Sequence, residues 1–434
     1  HNISASIGVT LYPDDNEDID TLIRHADNVM YQAKQSGKHR YHIFDSMQDQ
    51  QLTQKHHRLA EIQQALINNE FSLYYQPKVN MVTGEVFGVE ALIRWLHPEK
   101  GLIPPLDFLP LIDGTAIELE VGGWVINQAL QQMDCWLAQG IKLEVSVNIA
   151  SQHLQSDSFL ANLELALAQY PSVNSQHLQL EILESSALGD LQAVSAIIKT
   201  CQEALGTNIA LDDFGTGYSS LTHLRNLSAN TIKIDQSFVR DMLDDPDDYT
   251  IIDGVIGLAE SFNREVIAEG VETTEHGLML LLMGCEQAQG YGISKPMPAG
   301  DIPEWLSAYR PNQEWLLCGN KVRTEKETKI RLFRLITEHW KNRFVSYIQS
   351  SAEENQHKAI MSEQHDHCGQ WINRAHKEDL FEQDSLKRLE RVHNNFHFIA
   401  QAIHLSYQEG DIDKARGSLK GLITAYNEMS NAVG

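Results

Sequence analysis

Leu178-Gln179-Leu180-Glu181-Ile182-Leu183 and Asn208-Ile209-Ala210-Leu211-Asp212-Asp213-Phe214 flank the run Leu191–Ala204. The two outer stretches are short and β-rich. The run between them repeats apolar residues at helical spacing, so the three together predict a β-α-β unit. Working outward, the pattern repeats. Further β-rich stretches at Phe71–Tyr75, Val86–Ile93, Leu143–Ile149, Thr231–Ile234, Glu265–Glu269 and Glu286–Tyr291 bring the strands to eight, with amphipathic helices such as Trp124–Ala138 and Ile251–Ser261 between most of them. Eight strands alternating with helices over ~250 residues point to an α/β fold, the (β/α)8 TIM-like barrel. A doubly wound sheet would need a Gly-rich phosphate loop after its first strand, and the sequence has none there.

An interior barrel strand is expected to be apolar from end to end. Here a charged or amide residue closes strand after strand: Glu90, Asn148, Glu181, Asp212 with Asp213, Lys233, Glu269 and Gln289. Ionised groups at buried strand ends are costly unless paired or metal-bound. The C-terminal strand ends of such a barrel converge on one face, where active sites sit. Taken singly, each residue reads equally well as a solvated loop residue or a local ion pair; seven strand ends in phase argue for one site. Glu90, Asn148, Glu181, Asp212 and Asp213 are hard oxygen donors with no Cys or His among them, which suits Mg²⁺ or Mn²⁺ rather than Zn²⁺. In the pair Asp212–Asp213, one carboxylate can bridge two ions while its neighbour serves the second. Two metals ~3.5–4 Å apart are the usual arrangement for in-line attack on a phosphodiester. Lys233 and Glu269 are then candidates to orient and deprotonate the water. Arg94, four residues past Glu90, is a candidate phosphate clamp.

Composition narrows the function classes. Asp and Glu number 59 against 34 Lys and Arg, a formal charge of −25. That argues against a DNA or RNA partner bound through a basic surface. The longest apolar runs, such as Leu278–Met283, fall far short of the ~18–20 residues that span a bilayer. With no signal peptide read either, a cytoplasmic location is expected. Cys135, Cys201, Cys285, Cys318 and Cys368 are scattered with no CxxC pair, so a reducing compartment fits. Asp213-Phe214-Gly215 is a kinase-like triplet without a Gly-rich loop or His-Arg-Asp segment, and neither G-x-S-x-G nor H-E-x-x-H occurs.

The motifs carry a resemblance. In order, they are Tyr75-Gln76-Pro77, Glu90-Ala91-Leu92-Ile93-Arg94-Trp95, Val147-Asn148, Glu181-Ile182-Leu183-Glu184-Ser185 and Asp212-Asp213-Phe214-Gly215-Thr216-Gly217-Tyr218-Ser219-Ser220. Ile232-Lys233-Ile234-Asp235, Ala268-Glu269-Gly270-Val271-Glu272 and Gln289-Gly290-Tyr291 follow. Over about residues 57–308 this set resembles the EAL-domain cyclic-di-GMP phosphodiesterases. The resemblance implies a barrel whose first strand is antiparallel to the rest. It implies hydrolysis of one phosphodiester of cyclic di-GMP to linear pGpG, with two Mg²⁺ or Mn²⁺ ions. It implies metal-ligand roles for Glu90, Asn148, Glu181, Asp212 and Asp213, a water-positioning role for Lys233, and the general base for Glu269. Glu184 would hold the loop after Asp213, Glu272 would support the site, and Arg94, Gln289 and Gln76 would contact the nucleotide. A homodimer paired beside the Asp213–Leu221 loop is implied as well. Leu183 stands where the family usually has Thr, Ile112-Asp113-Gly114 replaces Ala-Glu-Glu, and Ala116 replaces a common Gly. None of these removes a metal ligand or the base.

Two flanks complete the expected organisation of 1–46, 57–310 and 319–434. Residues 1–46 hold a strand (Ile3–Leu11), a helix (Asp18–Ser36) ended by Gly37, and a strand (Tyr41–Phe44). They cannot close a core alone and are expected to be the tail of a domain cut by the chain start. Ala5-Ser6-Ile7-Gly8-Val9 and Ala26-Asp27-Asn28-Val29-Met30-Tyr31-Gln32-Ala33-Lys34 resemble the end of a GGDEF diguanylate cyclase domain, without the catalytic loop that names it. Residues 319–434 have no β-rich run and read as a helical bundle, with helices at Ile330–Ile348, Trp371–Lys377, Asp384–Gln408 and Ile412–Ser430. Trp340-Lys341-Asn342-Arg343, Gly369-Gln370-Trp371, His393-x-x-x-His397 and Gly410-Asp411-Ile412 resemble the chemoreceptor zinc-binding (CZB) domain. His393 and His397 share one helical face, which suits Zn²⁺. The other two ligands implied by the resemblance fall on Thr337 and Asp366. His339 and Cys368 stand two residues later, about 200° around an ideal helix. The expectation is a site completed by Cys368 with His339, or a weakened one using Asp366. The chain is thus expected to be a phosphodiesterase regulated by its bundle. The alternatives are a catalytically silent cyclic-di-GMP receptor and a relay to an upstream cyclase; the complete ligand set with Lys233 and Glu269 favours the enzyme, since a receptor has no need of the base.

Overall fold

The computed structural model describes residues 5–35, 39–184, 191–215, 225–350, 366–378 and 381–433. Its contacts form two units: residues 1–72 with 94–121, and residues 73–93 with 122–434. In the first unit, strands β1 (Ile7–Val9) and β2 (Tyr41–Ile43) pair in parallel beside the helix Ile19–Gln35. The expected C-cap Gly37 lies outside the described residues. A helix then runs from Ser46 to Ile67. It covers residues 47–56, which the sequence reading left between two segments. Its first half, Ser46–Lys55, is almost wholly polar, so it offers no apolar period to detect.

The remaining strands are β3 (Phe71–Asn80), β4 (Val86–His97), β5 (Gly101–Ile103), β6 (Glu144–Ile149), β7 (Leu178–Leu183), β8 (Asn208–Phe214), β9 (Thr231–Ile234), β10 (Glu265–Ala268), β11 (Gln287–Gln289) and β12 (Met297–Pro298). Their order is β12-β3-β11-β10-β9-β8-β7-β6-β4-β5, and a β3–β4 pairing closes eight of them into a barrel. β3 runs antiparallel to β11, whereas β4 and β6 through β11 pair in parallel. The antiparallel first strand is therefore present. β3 outruns its expected end because it forms a hairpin with β4, turned at Gly84 with φ 77°, and β4 outruns its own because Trp95–His97 pair antiparallel with β5.

Alternation along the strands separates two faces. Val145, Val147, Leu180, Ile182, Leu211 and Ile232 are buried on one face, and they are all apolar. The other face carries Ser146 and Asn148, Gln179 and Glu181, Thr231 and Lys233. The expectation of apolar interior strands is thus corrected, because polar side chains here satisfy one another across the barrel. In the lower layer, Lys78 Nζ donates to Glu144 Oε1 (2.8 Å), Ser146 Oγ (2.5 Å) and Gln179 Oε1 (3.2 Å), and Gln179 Nε2 donates to Thr231 Oγ1 (3.3 Å). Lys78→Met removes the one cation of this layer and takes away the donor that serves the buried Ser146 and Gln179 and the half-buried Glu144. It is expected to lower unfolding free energy by about 2–4 kcal/mol, read as a lower urea midpoint with an unchanged slope.

The C-terminal region is helical: Glu325–Gln349, His367–Glu378, Gln383–Gln408 and Ile412–Ala432. A capping box, Thr324 with Glu327, starts the first of these. Phe333, Phe344, Phe396, Leu422 and Met429 fill its core. The bundle is held to the barrel at the helix Pro246–Ser261 and the turn before it. Arg343 and His339 (Nε2, 3.2 Å) both meet Asp244, and Arg374 faces Asp253 at 3.7 Å. Among the described residues, no helix is long and apolar enough to cross a membrane.

Candidate active site

The polar strand ends meet around one side chain. Lys233, on β9, is 1% exposed. Its Nζ lies 2.6 Å from Glu181 Oε2, 3.0 Å from Asp212 Oδ1, 2.5 Å from Glu269 Oε1 and 3.7 Å from Glu90 Oε2. Glu90 is gripped further by two amides: Asn148 Nδ2 donates to Oε1 at 2.8 Å and Gln289 Nε2 to Oε2 at 2.6 Å. Gln289 Nε2 also donates to Gln76 Oε1 (3.0 Å), and Gln76 Nε2 donates to the Ser294 carbonyl (3.0 Å). Gln76 and Gln289 thus tie the last barrel strand to the first.

Two adjacent residues of a regular strand point to opposite faces. Asp212 and Asp213 escape that rule through a register shift between Leu211 and Phe214 against β9. Asp213 also has φ 53°, in the left-handed region where Asp is among the few tolerated residues. Its N–H donates to Asp212 Oδ1 at 3.0 Å. As a result Asp212, Asp213 and Glu269 each offer an oxygen within 4.8 Å of the other two. Asp235 joins them by a side-chain hydrogen bond to Asp213. The sequence reading did not single out Asp235, although it sits two residues past Lys233, on the same face of the chain.

The electrostatics are those of an anion-rich pocket held by one cation. Burial pushes Glu181 up to about 8, against the pull of Lys233. Burial, then Asp212, then the bond to Asp235 push Asp213 up to about 6. Burial raises Glu269 well above the ordinary carboxylate value. Burial alone would lower Lys233, but Asp212, Glu181, Glu269 and Glu90 outweigh it and raise it. Glu90 is the exception: burial works to raise it, but Lys233 and the two amides hold it below its usual value.

A carboxyl raised in the folded state stabilises the fold below its unfolded value, near 4, and loses that contribution as pH climbs through the raised value. With metals chelated, Tm is therefore expected to fall from about pH 5 to about pH 8, through the values of Asp213 and Glu181. Glu90, depressed, has already made its contribution by then. Thermal melts with EDTA and with Mg²⁺ check this: the added cation should flatten the decline.

These residues fit hard divalent cations. The donor set is all oxygen, five carboxylates face one ammonium, and Glu181 Oε1 is a buried acceptor with no donor. Other expected site residues fall differently. Glu184 is buried at the end of β7, but Ser185 and the segment Thr216–Leu221 lie outside the described residues. Glu272 is not brought into the cluster: it is exposed, and its backbone N–H donates to His276 Nδ1 at 3.4 Å. Arg94 is half-buried on β4, on the strand face of Glu90 by alternation.

In the bundle, Asp366, Cys368 and His393 are buried and offer ligand atoms within 4.8 Å of one another. Asp366 Oδ2 lies 2.8 Å from His397 Nε2 and 3.4 Å from His393 Nε2. Oδ1 accepts the Gly369 N–H at 2.7 Å. Burial alone would raise the Asp366 carboxyl, but the two histidines hold it well below the usual range. Cys368 and Asp366, expected as alternatives, both face this cluster, because the helix starts at His367 and Asp366 precedes it, so helical phase does not separate the two. One expectation is corrected. His339 is not part of the cluster. Thr337 takes the inward position and bonds the Phe333 carbonyl (2.9 Å), which turns His339 toward Asp244.

The chain belongs to the EAL domain family, whose profile matches residues 59–296. Residues 1–40 match the family described as diguanylate cyclase, GGDEF domain. Among its relatives is the bifunctional diguanylate cyclase/cyclic di-GMP phosphodiesterase MucR of Pseudomonas aeruginosa, 39% identical over 301 residues, 69% of this chain and 44% of MucR. The cyclic di-GMP phosphodiesterase PdeR of Escherichia coli is 35% identical over 308 residues, 70% of this chain and 46% of PdeR. The chain thus spans less than half the length of either. The solved structure of the MucR phosphodiesterase with cyclic di-GMP superimposes with a TM-score of 0.55 at 38% identity, covering 57% of this chain and 99% of that one.

Proposed function

We propose that the barrel is a cyclic-di-GMP phosphodiesterase that hydrolyses one phosphodiester to give linear pGpG. The observation that carries this reading is the convergence of Glu90, Glu181, Asp212 and Glu269 on the buried Lys233, with Asn148 bonded to Glu90 and Asp213 beside Asp212 and Glu269. Glu90, Asn148, Glu181, Asp212 and Asp213 would hold two divalent cations, Mg²⁺ or Mn²⁺, which neutralise charge and polarise the phosphodiester. Glu269 takes the proton of the attacking water. Its burial makes it a stronger base than a solvated carboxylate, and Lys233, 2.5 Å away, fixes its orientation. Gln289, with Gln76 behind it, holds Glu90 in place, Arg94 clamps a phosphate, and Glu184 anchors the loop after Asp213. Glu272, exposed, serves from the rim. Incubation with cyclic di-GMP and Mg²⁺ tests the reading, with pGpG expected; nucleotide recovered intact from a folded, nucleotide-bound protein would make it a receptor.

The reading extends to a regulated, cytoplasmic protein that pairs as a homodimer through its barrel. Regulation by the bundle is supported by its grip on Asp244 and Asp253, which follow β9 and its Lys233. Asp366, Cys368, His393 and His397 are the residues suited to a Zn²⁺ in the bundle. Metal analysis of the full chain is expected to find one zinc that a His393→Ala/His397→Ala double variant lacks. Equal zinc in both proteins would rule the site out.

A further inference from the structure

Barrels of this architecture are filled mainly by layers of branched apolar side chains. The layer directly beneath the carboxylate cluster is polar instead. Ser146, Gln179 and Thr231 stand two residues before Asn148, Glu181 and Lys233 on β6, β7 and β9, so each shares a strand face with a site residue one layer up. β3 runs the other way, and there Lys78 follows Gln76 by two residues. On β4 the residue two before Glu90 is Gly88, and the Lys78 stem takes the room a side chain would need. A Cβ on Gly88 would lie 3.0 Å from Lys78 Cε and 2.9 Å from the Glu144 carbonyl oxygen.

An ammonium has three donors, and the buried Lys78 commits all of them, to Glu144, Ser146 and Gln179. Ser146 Oγ donates to Gln179 Oε1 at 2.7 Å, and Gln179 reaches on to Thr231. β3, β6, β7 and β9 are thus tied together at one level by directional bonds. Well-packed apolar residues are often at least as stable as a buried ion pair, so stability does not account for this layer. Directional bonds add something that apolar packing does not: they hold one side chain against another at a fixed place. A site must be held to within about 0.5 Å, and misplacement by ~1 Å can cost about 10²-fold in rate.

We propose that Lys78 is a positioning residue for the site above it: through Ser146 and Gln179 it fixes where Asn148 and Glu181 present their oxygens to the divalent cations. Lys78 itself touches neither cation nor nucleotide. This role rests on the phosphodiesterase reading for its effect on rate, and on cation binding alone for its effect on affinity, so the two can fail separately.

The double variant Lys78→Met/Glu144→Gln removes the tether while keeping the net charge, because the two side chains pair at 2.8 Å. Two measurements on the full chain test it: calorimetric titration of EDTA-stripped protein with Mg²⁺, and hydrolysis of cyclic di-GMP at saturating Mg²⁺. The variant is expected to bind Mg²⁺ about fivefold or more weakly and to lose about tenfold or more in kcat, with KM within about twofold. Ser146→Ala loses one of the three partners and almost no volume. It should show the same pattern at about threefold, and it carries the test if the double variant does not fold. Mg²⁺ affinity or kcat within twofold of the unsubstituted chain, with a change in melting temperature alone, would overturn the proposal, and so would an unsubstituted chain that binds no Mg²⁺ saturably. If the unsubstituted chain leaves cyclic di-GMP intact, the phosphodiesterase reading falls and the Mg²⁺ titration alone decides: weaker binding in the variants upholds the role of Lys78, and unchanged binding overturns it.

Discussion

Glu269→Ala is expected to lower kcat for cyclic di-GMP by roughly 10²–10⁴-fold while the nucleotide Kd changes by less than about threefold. The split follows from geometry. Glu269 touches Lys233 and lies beside Asp212 and Asp213, so it faces the reacting centre. It makes no contact that shapes the floor held by Glu90, Asn148, Gln289 and Gln76. Removing it also relieves a crowded set of carboxylates, so the variant should melt no lower than the unsubstituted protein. Turnover within tenfold of normal would remove Glu269 from the role of base.

The second large effect concerns the cations. Asp212→Asn is expected to cost about 10²-fold or more in kcat, only partly restored by excess Mg²⁺ or Mn²⁺. Asp212 sits between Lys233 and Asp213, so an amide there removes a charge shared by both halves of the cluster. Ca²⁺ should inhibit, because it prefers longer bonds and looser coordination than the Mg²⁺ that a compact oxygen site suits. Full activity in excess EDTA would contradict the two-metal account.

The barrel was legible because periodicity and strand-end chemistry agreed. Each strand from β6 to β9 closes on a polar residue, and each of those residues reaches Lys233 or Glu90 in space. What stayed hidden had physical reasons. The device that turns Asp212 and Asp213 to one side is a bulge with φ 53°, a backbone event that the residue types do not announce. Nothing in its residue type marks Lys78, and its layer is visible only once the barrel closes and its side chain on β3 reaches Glu144 on β6 and Gln179 on β7 across the interior. In the bundle, spacing alone left Cys368 and Asp366 as alternatives; both reach the cluster because the helix begins only at His367. His339 was misassigned because its partner, Asp244, is far away in sequence.

The central claim is that this cluster cuts a phosphodiester and does not merely hold it. A single-turnover experiment tests that most directly, with the protein in molar excess over cyclic di-GMP, Mg²⁺ present, and the products resolved after quenching. The account predicts complete conversion to pGpG, blocked by EDTA and by Glu269→Ala. Cyclic di-GMP that binds stoichiometrically and is recovered intact after prolonged incubation would contradict it.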